Sequence, residues 1–250
     1  MKIVRFEWEG GVAYGVVDGE AILKVDGLLS DDVSVGERMC DVGSVRLLPP
    51  VWPRTVIGIG ANYHSVVRAV GMDTPSEPGV FLKAASCVIG HLDDIIHPTI
   101  SNDVRFEAEL AVVMKKEARH VGEGEALNYV LGYTCANDLT ARDIQDRFPT
   151  RNKSFYTSCP LGPYIVTDLD PSQLRIKARL NGTQTQDTPT SDMVFSVSQL
   201  ISYVNEFMPL EPLDVILTGT SARGVKISAG DTIEVEIGGI GVLRNAVKPA

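Results

Sequence analysis

The sequence predicts a β-rich α+β protein with few helices, and three observations predict it. Short runs of apolar and β-branched residues recur along the chain, parted by Gly-Gly, Asp-Gly and Asn-Gly turns. Only 196–208 keeps apolar side chains at helical spacing. The cluster Pro49-Pro50-Val51-Trp52-Pro53 breaks any regular element and divides a small amino-terminal β domain, 1–50, from the remaining 51–250.

Residues 1–30 read as a β-meander, because Gly10-Gly11 and Asp18-Gly19 separate runs such as VAYGVV and AILKV. Residues 31–45 are polar and carry no pattern. TVIGIGA at 55–61 is a strand whose glycines allow close approach. NYHSVVRAVG follows as a short helix, suited to be a lid, and then VFLKAASCVIG and IIHP read as strands, with Lys83 inside the first. Next comes the apolar run Val104–Met114, then a short helix at EALNY and a strand at YVLGYTCA. ARDIQ at 141–145 is expected to begin another helical turn. Residues 148–163 are rich in Pro, Gly and polar side chains, which predicts a surface loop carrying Lys153. LRIKARL and Asn181-Gly182 signal a hairpin. In 196–208, Val197, Leu200, Ile201, Val204 and Phe207 form one helical face with Ser196 as the cap. DVILTGT, DTIEVEI and VLRNAV are the last strands.

The chain has 250 residues, 44% of them hydrophobic, enough for a full core. A net charge of -9 without a basic run argues against nucleic acid or an anionic membrane as partner, and leaves an anionic small molecule possible if local cations hold it. The charged start MKIVRFEWEG and the lack of an 18-residue apolar stretch predict neither a signal peptide nor a membrane span, hence a cytoplasmic protein. Cys40, Cys87, Cys135 and Cys159 lack metal-site spacing and are expected as reduced thiols, mostly in the core.

The chemistry concentrates on VRFEAELAVVM. Strand alternation sends Glu107 and Glu109 to one face, and two buried carboxylates need a compensating cation. An edge strand with both Glu side chains in solvent fits the same spacing. With Asp138, the pair supplies three hard oxygen donors suited to Mg2+ or Mn2+, with about three octahedral positions left for water or a chelating substrate. If ARDIQ is helical, Arg142 and Gln145 lie one and about two turns beyond Asp138 and can project with it, although a solvated helix face has the same spacing. LTGT at 217–220 is either a carboxylate-binding turn or a plain one. Gly58 and Gly60 form no dinucleotide fingerprint.

These blocks together resemble the fumarylacetoacetate hydrolase (FAH) family over 55–248: GIGANY at 58–63, VFLK at 80–83, FEAELAVV at 106–113, GYTCANDLTARDIQ at 132–145, KSFYTSCPLGP at 153–163, NGTQTQ at 181–186, and DVILTGT followed by AGDTIEVEI. The resemblance implies the family's mixed β-sandwich roll behind a small amino-terminal domain, usually as a homodimer. It implies that Glu107, Glu109 and Asp138 hold Mg2+ or Mn2+, that Arg142, Gln145 and Thr220 face the substrate, and that Lys153 is catalytic, complementing an enolate. The implied substrates are 2-oxo acids and their enols, including intermediates of aromatic catabolism, which family members decarboxylate, isomerise, tautomerise or hydrolyse. The pattern is nearest to the 2-hydroxyhepta-2,4-diene-1,7-dioate isomerase and decarboxylase-like members.

Two departures bear on the choice. Hydrolytic members often carry Asn-Tyr-x-x-His-x-x-Glu in the lid, and here those last positions are Val66 and Ala69, with His64 two places early. This favours decarboxylation or tautomerisation of a 2-oxo (di)carboxylic acid over an acylpyruvate-type carbon-carbon hydrolase, and also allows a non-catalytic metabolite-binding member. The second is TGTSARGV in place of TGTPxGV, which adds Arg223, either a solvated loop side chain or the mark of a second anionic group.

Overall fold

The computed structural model describes residues 1–250. The chain opens with four antiparallel strands, β1 (Lys2–Trp8), β2 (Gly11–Asp18), β3 (Ala21–Asp26) and β4 (Ser34–Asp41). The first three are the expected meander. The fourth lies in the polar stretch without a pattern, where it pairs with β3 while its first five residues stay exposed, so no apolar alternation marks it.

The remaining strands are β5 (Val56–Gly60), β6 (Gly79–Lys83), β7 (Val88–Ile89), β8 (Ile95–His97), β9 (Val104–Phe106), β10 (Ala108–Met114), β11 (Val130–Asn137), β12 (Thr140–Ala141), β13 (Cys159–Val166), β14 (Arg175–Leu180), β15 (Thr183–Pro189), β16 (Val215–Leu217), β17 (Val225–Lys226), β18 (Thr232–Ile237) and β19 (Gly241–Pro249). The α-helices are α1 (His64–Val70), α2 (Thr150–Lys153) and α3 (Val197–Phe207). None is long and apolar enough to cross a membrane.

The large sheet runs β4-β3-β2-β1-β13-β11-β10-β16-β5-β6, with β7 beside β13, and the amino-terminal strands join it where β1 pairs with β13. A five-stranded sheet, β15-β14-β18-β19-β8, packs on one face of it, and a small sheet, β12-β9-β17, lies at the end of β10. Leu110 and Val112 of β10 meet Ile176 of β14, Val235 of β18 and Leu200 of α3 in the main core, while Ala111 and Val113 face a second cluster with Ile3, Ile165 and Val215. Because β10 is buried on both faces, its sequence is apolar at almost every position. The fold is thus mostly β, as the sequence predicts, in the mixed sandwich that the family resemblance implies.

Helix α3 ends the way its sequence requires. The Gln199 N–H donates to Ser196 Oγ at 3.3 Å, and the Ser196 N–H donates to Gln199 Oε1 at 2.9 Å, a reciprocal capping box. Ser196→Ala is expected to cost about 1 kcal/mol of unfolding free energy. An unchanged urea midpoint would show the cap to be dispensable.

Three local readings need correction. Val104–Met114 is two strands, because at Glu107 the chain exchanges partners, from β12 and β17 to β11 and β16. ARDIQ is not helical. Thr140 and Ala141 pair with β9, the Arg142 N–H donates to the Asp103 carbonyl at 2.8 Å, and the Asp143 carboxylate accepts from Ser101 Oγ and the Asn102 N–H, so these groups bind the 101–103 loop instead of forming a helical ladder. Finally, 148–163 contains both α2 and most of β13, and Lys153 ends a short helix with its side chain only 13% exposed, not on a solvated loop.

Candidate metal centre and cavity

Strand register assembles the acidic cluster. Ala108 stands opposite Asn137 and Glu109 opposite Ala136, and the Asp138 N–H extends the ladder to the Glu107 carbonyl at 2.9 Å. Glu107 and Asp138 are therefore cross-strand partners, with Glu109 their neighbour on the same face. One ligand atom from each lies within 4.8 Å of the others, and the residues are 7%, 2% and 1% exposed for Glu107, Glu109 and Asp138. The solvent-facing alternative for the two glutamates is thereby excluded.

Each carboxylate is held from outside the cluster. The Gly219 N–H donates to Glu109 Oε2 at 2.7 Å, and Thr140 Oγ1 donates to Glu107 Oε2 at 3.2 Å. Lys83 Nζ donates to Asp138 Oδ1 at 2.7 Å and also to the Lys153 carbonyl. Lys153 Nζ donates to Glu107 Oε2 at 2.8 Å and to Asp138 Oδ2. Gly219 has φ +94°, and a Cβ there would lie 3.0 Å from the Asn62 Cβ and 3.1 Å from the Ile59 carbonyl oxygen. The turn that caps Glu109 thus requires glycine. Gly58 serves differently: a Cβ would enter the Phe81 ring at 2.2 Å, and that ring lies 5.1 Å from the Lys153 ammonium, within cation–π range.

Burial pushes the Glu109 carboxyl well above the usual carboxylate range, and the charge of Asp138 adds to the effect. Burial acts on Asp138 in the same sense, but the Lys153 and Lys83 ammonium groups together hold it below its ordinary value. Burial likewise opposes charge on Lys153, and Asp138 with Glu107 outweighs that, raising its pKa. A divalent cation fits this donor set: three hard oxygens converge from two segments, and its charge would displace the proton that burial favours on Glu109.

The three carboxylates line a cavity of about 250 Å³. Lys153, Arg142, Thr220 and Arg223 also line it, while Val66, Val70 and Met72 form an apolar wall from α1 and the residues after it. Arg142 Nη2 lies 3.8 Å from Glu107 Oε1. Thr220 Oγ1 donates to Gln186 Oε1 at 3.4 Å, and Gln186 Nε2 donates to the Ala108 carbonyl at 3.3 Å, which ties the LTGT turn to the acidic strand. Gln145 does not line the cavity; it is exposed, because 142–145 turns away instead of coiling. His64, at the start of α1, is also absent from the lining.

Sequence reasoning assigned no role to Lys83 or Asn62. Lys83, 3% exposed, neutralises Asp138 from behind, and a lysine ending an apolar strand was the available signal. Asn62, fully buried, donates through Nδ2 to the carbonyls of Thr218 and Phe195 and accepts the Phe195 N–H, fastening three loops beneath the cavity. An isolated Asn before a helix carries no signal of that.

Residues 1–50 match a family model described as Rv2993c-like, N-terminal. The chain is 38% identical over 215 residues to "Oxaloacetate tautomerase FAHD2B, mitochondrial" of Homo sapiens, covering 80% of this chain and 68% of that protein. Its structure is similar to that of a 2-hydroxyhepta-2,4-diene-1,7-dioate isomerase from Mycobacterium marinum, with TM-score 0.91, 34% identity and coverage of 100% and 98%. It is also similar to a maleylpyruvate hydrolase from Sphingobium sp. SYK-6 in complex with manganese (II) ion and pyruvate, with TM-score 0.83, 27% identity and full coverage of both chains. Residues 55–248 match the model described as fumarylacetoacetate (FAA) hydrolase C-terminal, and the chain belongs to the fumarylacetoacetate hydrolase family.

Proposed function

We propose that this protein is a Mg2+- or Mn2+-dependent enzyme that decarboxylates or tautomerises a 2-oxo acid. The observation that carries the reading is the buried triad Glu107, Glu109 and Asp138 facing a cavity together with the Lys153 ammonium. Glu107, Glu109 and Asp138 would hold a divalent cation, which would supply Lewis-acid stabilisation of negative charge developing on a bound 2-oxo acid. Lys153 adds a second positive charge beside the same oxygens, and Phe81 keeps its ammonium in place. Lys83 neutralises Asp138 from the protein side, so a cation or substrate that displaces Lys153 from Asp138 does not leave that carboxylate unpaired. Arg142 and Thr220 orient the bound acid from the cavity wall. Val66, Val70 and Met72 line the same cavity with side chains that cannot activate water, which favours enolate chemistry over hydrolysis. We also propose that the protein works as a homodimer.

The test is turnover of oxaloacetate after chelation. Removal of divalent ions is expected to reduce enol-keto exchange and decarboxylation to background, with Mg2+ or Mn2+ restoring them. Turnover unaffected by chelation would rule the reading out. Pyruvate release from acetylpyruvate, with oxaloacetate untouched, would instead identify a hydrolase.

A further inference from the structure

We infer that Arg223 recognises a second carboxylate, remote from the 2-oxo acid group, and so selects 2-oxo dicarboxylates over monocarboxylates; this rests on the function proposed above. The loop 218–224 begins where the Gly219 N–H binds Glu109 and ends in β17, where Val225 pairs with Phe106, next to Glu107. Arg223 leaves that loop, lines the cavity and is solvent-exposed, whereas the acidic residues below it are buried. It therefore stands at the mouth of the cavity.

Its hydrogen-bond partner there is weak for an arginine. Nη2 donates to the Ala69 carbonyl at 2.7 Å, one of the last-turn carbonyls that a helix leaves without an internal partner. The other cations of the site face carboxylates: Lys153 has Glu107 and Asp138, Lys83 has Asp138, and Arg142 stands near Glu107. Arg223 faces only a neutral oxygen. A substrate carboxylate would replace that contact with a charge-assisted hydrogen bond, roughly twice as strong.

Charge balance points the same way. Three carboxylates, one divalent cation, two lysines and two arginines leave a surplus of three positive charges around the cavity. A dicarboxylate offsets two of those charges and a monocarboxylate only one. Ser65 Oγ donates to the Ser221 carbonyl at 3.3 Å, so α1 stays tied to this loop when Arg223 changes partner.

The experiment compares oxaloacetate with 2-oxobutanoate, which has the same 2-oxo acid head and a methyl group in place of the distal carboxylate. Both are titrated into the Mn2+-loaded full-length protein, and binding is read from water-proton relaxation before turnover. Wild type is expected to prefer oxaloacetate, and Arg223→Gln to shrink that preference at least tenfold. Arg223→Lys, which keeps the charge, is expected to retain part of it. Melting temperature and Mn2+ affinity report whether each variant is intact. A preference that survives in Arg223→Gln overturns the inference and leaves the proposed function standing. Binding of neither acid by Mn2+-loaded wild type overturns the proposed function itself, and this inference with it.

Discussion

Glu109→Gln is expected to weaken Mn2+ binding by more than about 100-fold, beyond what loss of a supporting group usually costs, and to abolish turnover. Of the three carboxylates, Glu109 makes no ion pair with Lys153 or Lys83; the Gly219 N–H anchors it. Gln keeps an oxygen that the same N–H can reach, so the fold should survive while the ligand charge is lost. Proton release gives a second readout. Burial and Asp138 raise the Glu109 pKa, so cation uptake must expel that proton, and apparent affinity should increase with pH. Calorimetric titration in buffers of different pH checks both statements. Wild-type affinity in the variant would remove Glu109 from the ligand set.

Lys153→Met separates charge complementation from metal binding. The Lys153 ammonium touches oxygens of both Glu107 and Asp138, so it competes with a cation for them. Its removal should leave Mn2+ affinity equal or higher. Turnover should nevertheless fall by about 100- to 1000-fold, the usual loss when one preorganised electrostatic contact to the developing charge is removed. Methionine is one atom shorter but unbranched and can pack on the Phe81 ring, which limits collapse of the cavity. If metal binding disappears along with activity, Lys153 is a structural support of the triad and its proposed role in the reaction is wrong.

Much of the site was legible because it rests on short-range rules. The parity of Glu107 and Glu109 survives the change of partner between β9 and β10, since alternation continues through the junction. The helix α3 showed its apolar spacing in eleven consecutive residues and its cap in the residue before them. The hairpin β14–β15 was marked by Asn181-Gly182, both with positive φ. ARDIQ misled because a five-residue window cannot separate one helical turn from a strand end followed by a tight turn. Its outcome depended on hydrogen bonds to 101–103, a segment about forty residues earlier. Lys153 misled for a related reason. Its neighbours are those of a loop, yet distant carboxylates draw its side chain inward.

By itself the sequence determined the β-rich class, the acidic cluster and, through resemblance, the family, because alternation, turn chemistry and ordered motifs are written locally. Only the tertiary structure decided that Lys83 stands behind Asp138, that Gln145 faces solvent, and that Arg223 reaches the carbonyl of Ala69. Those facts follow from contacts between segments far apart in the chain, and such contacts exist only once strand register and loop packing have been set.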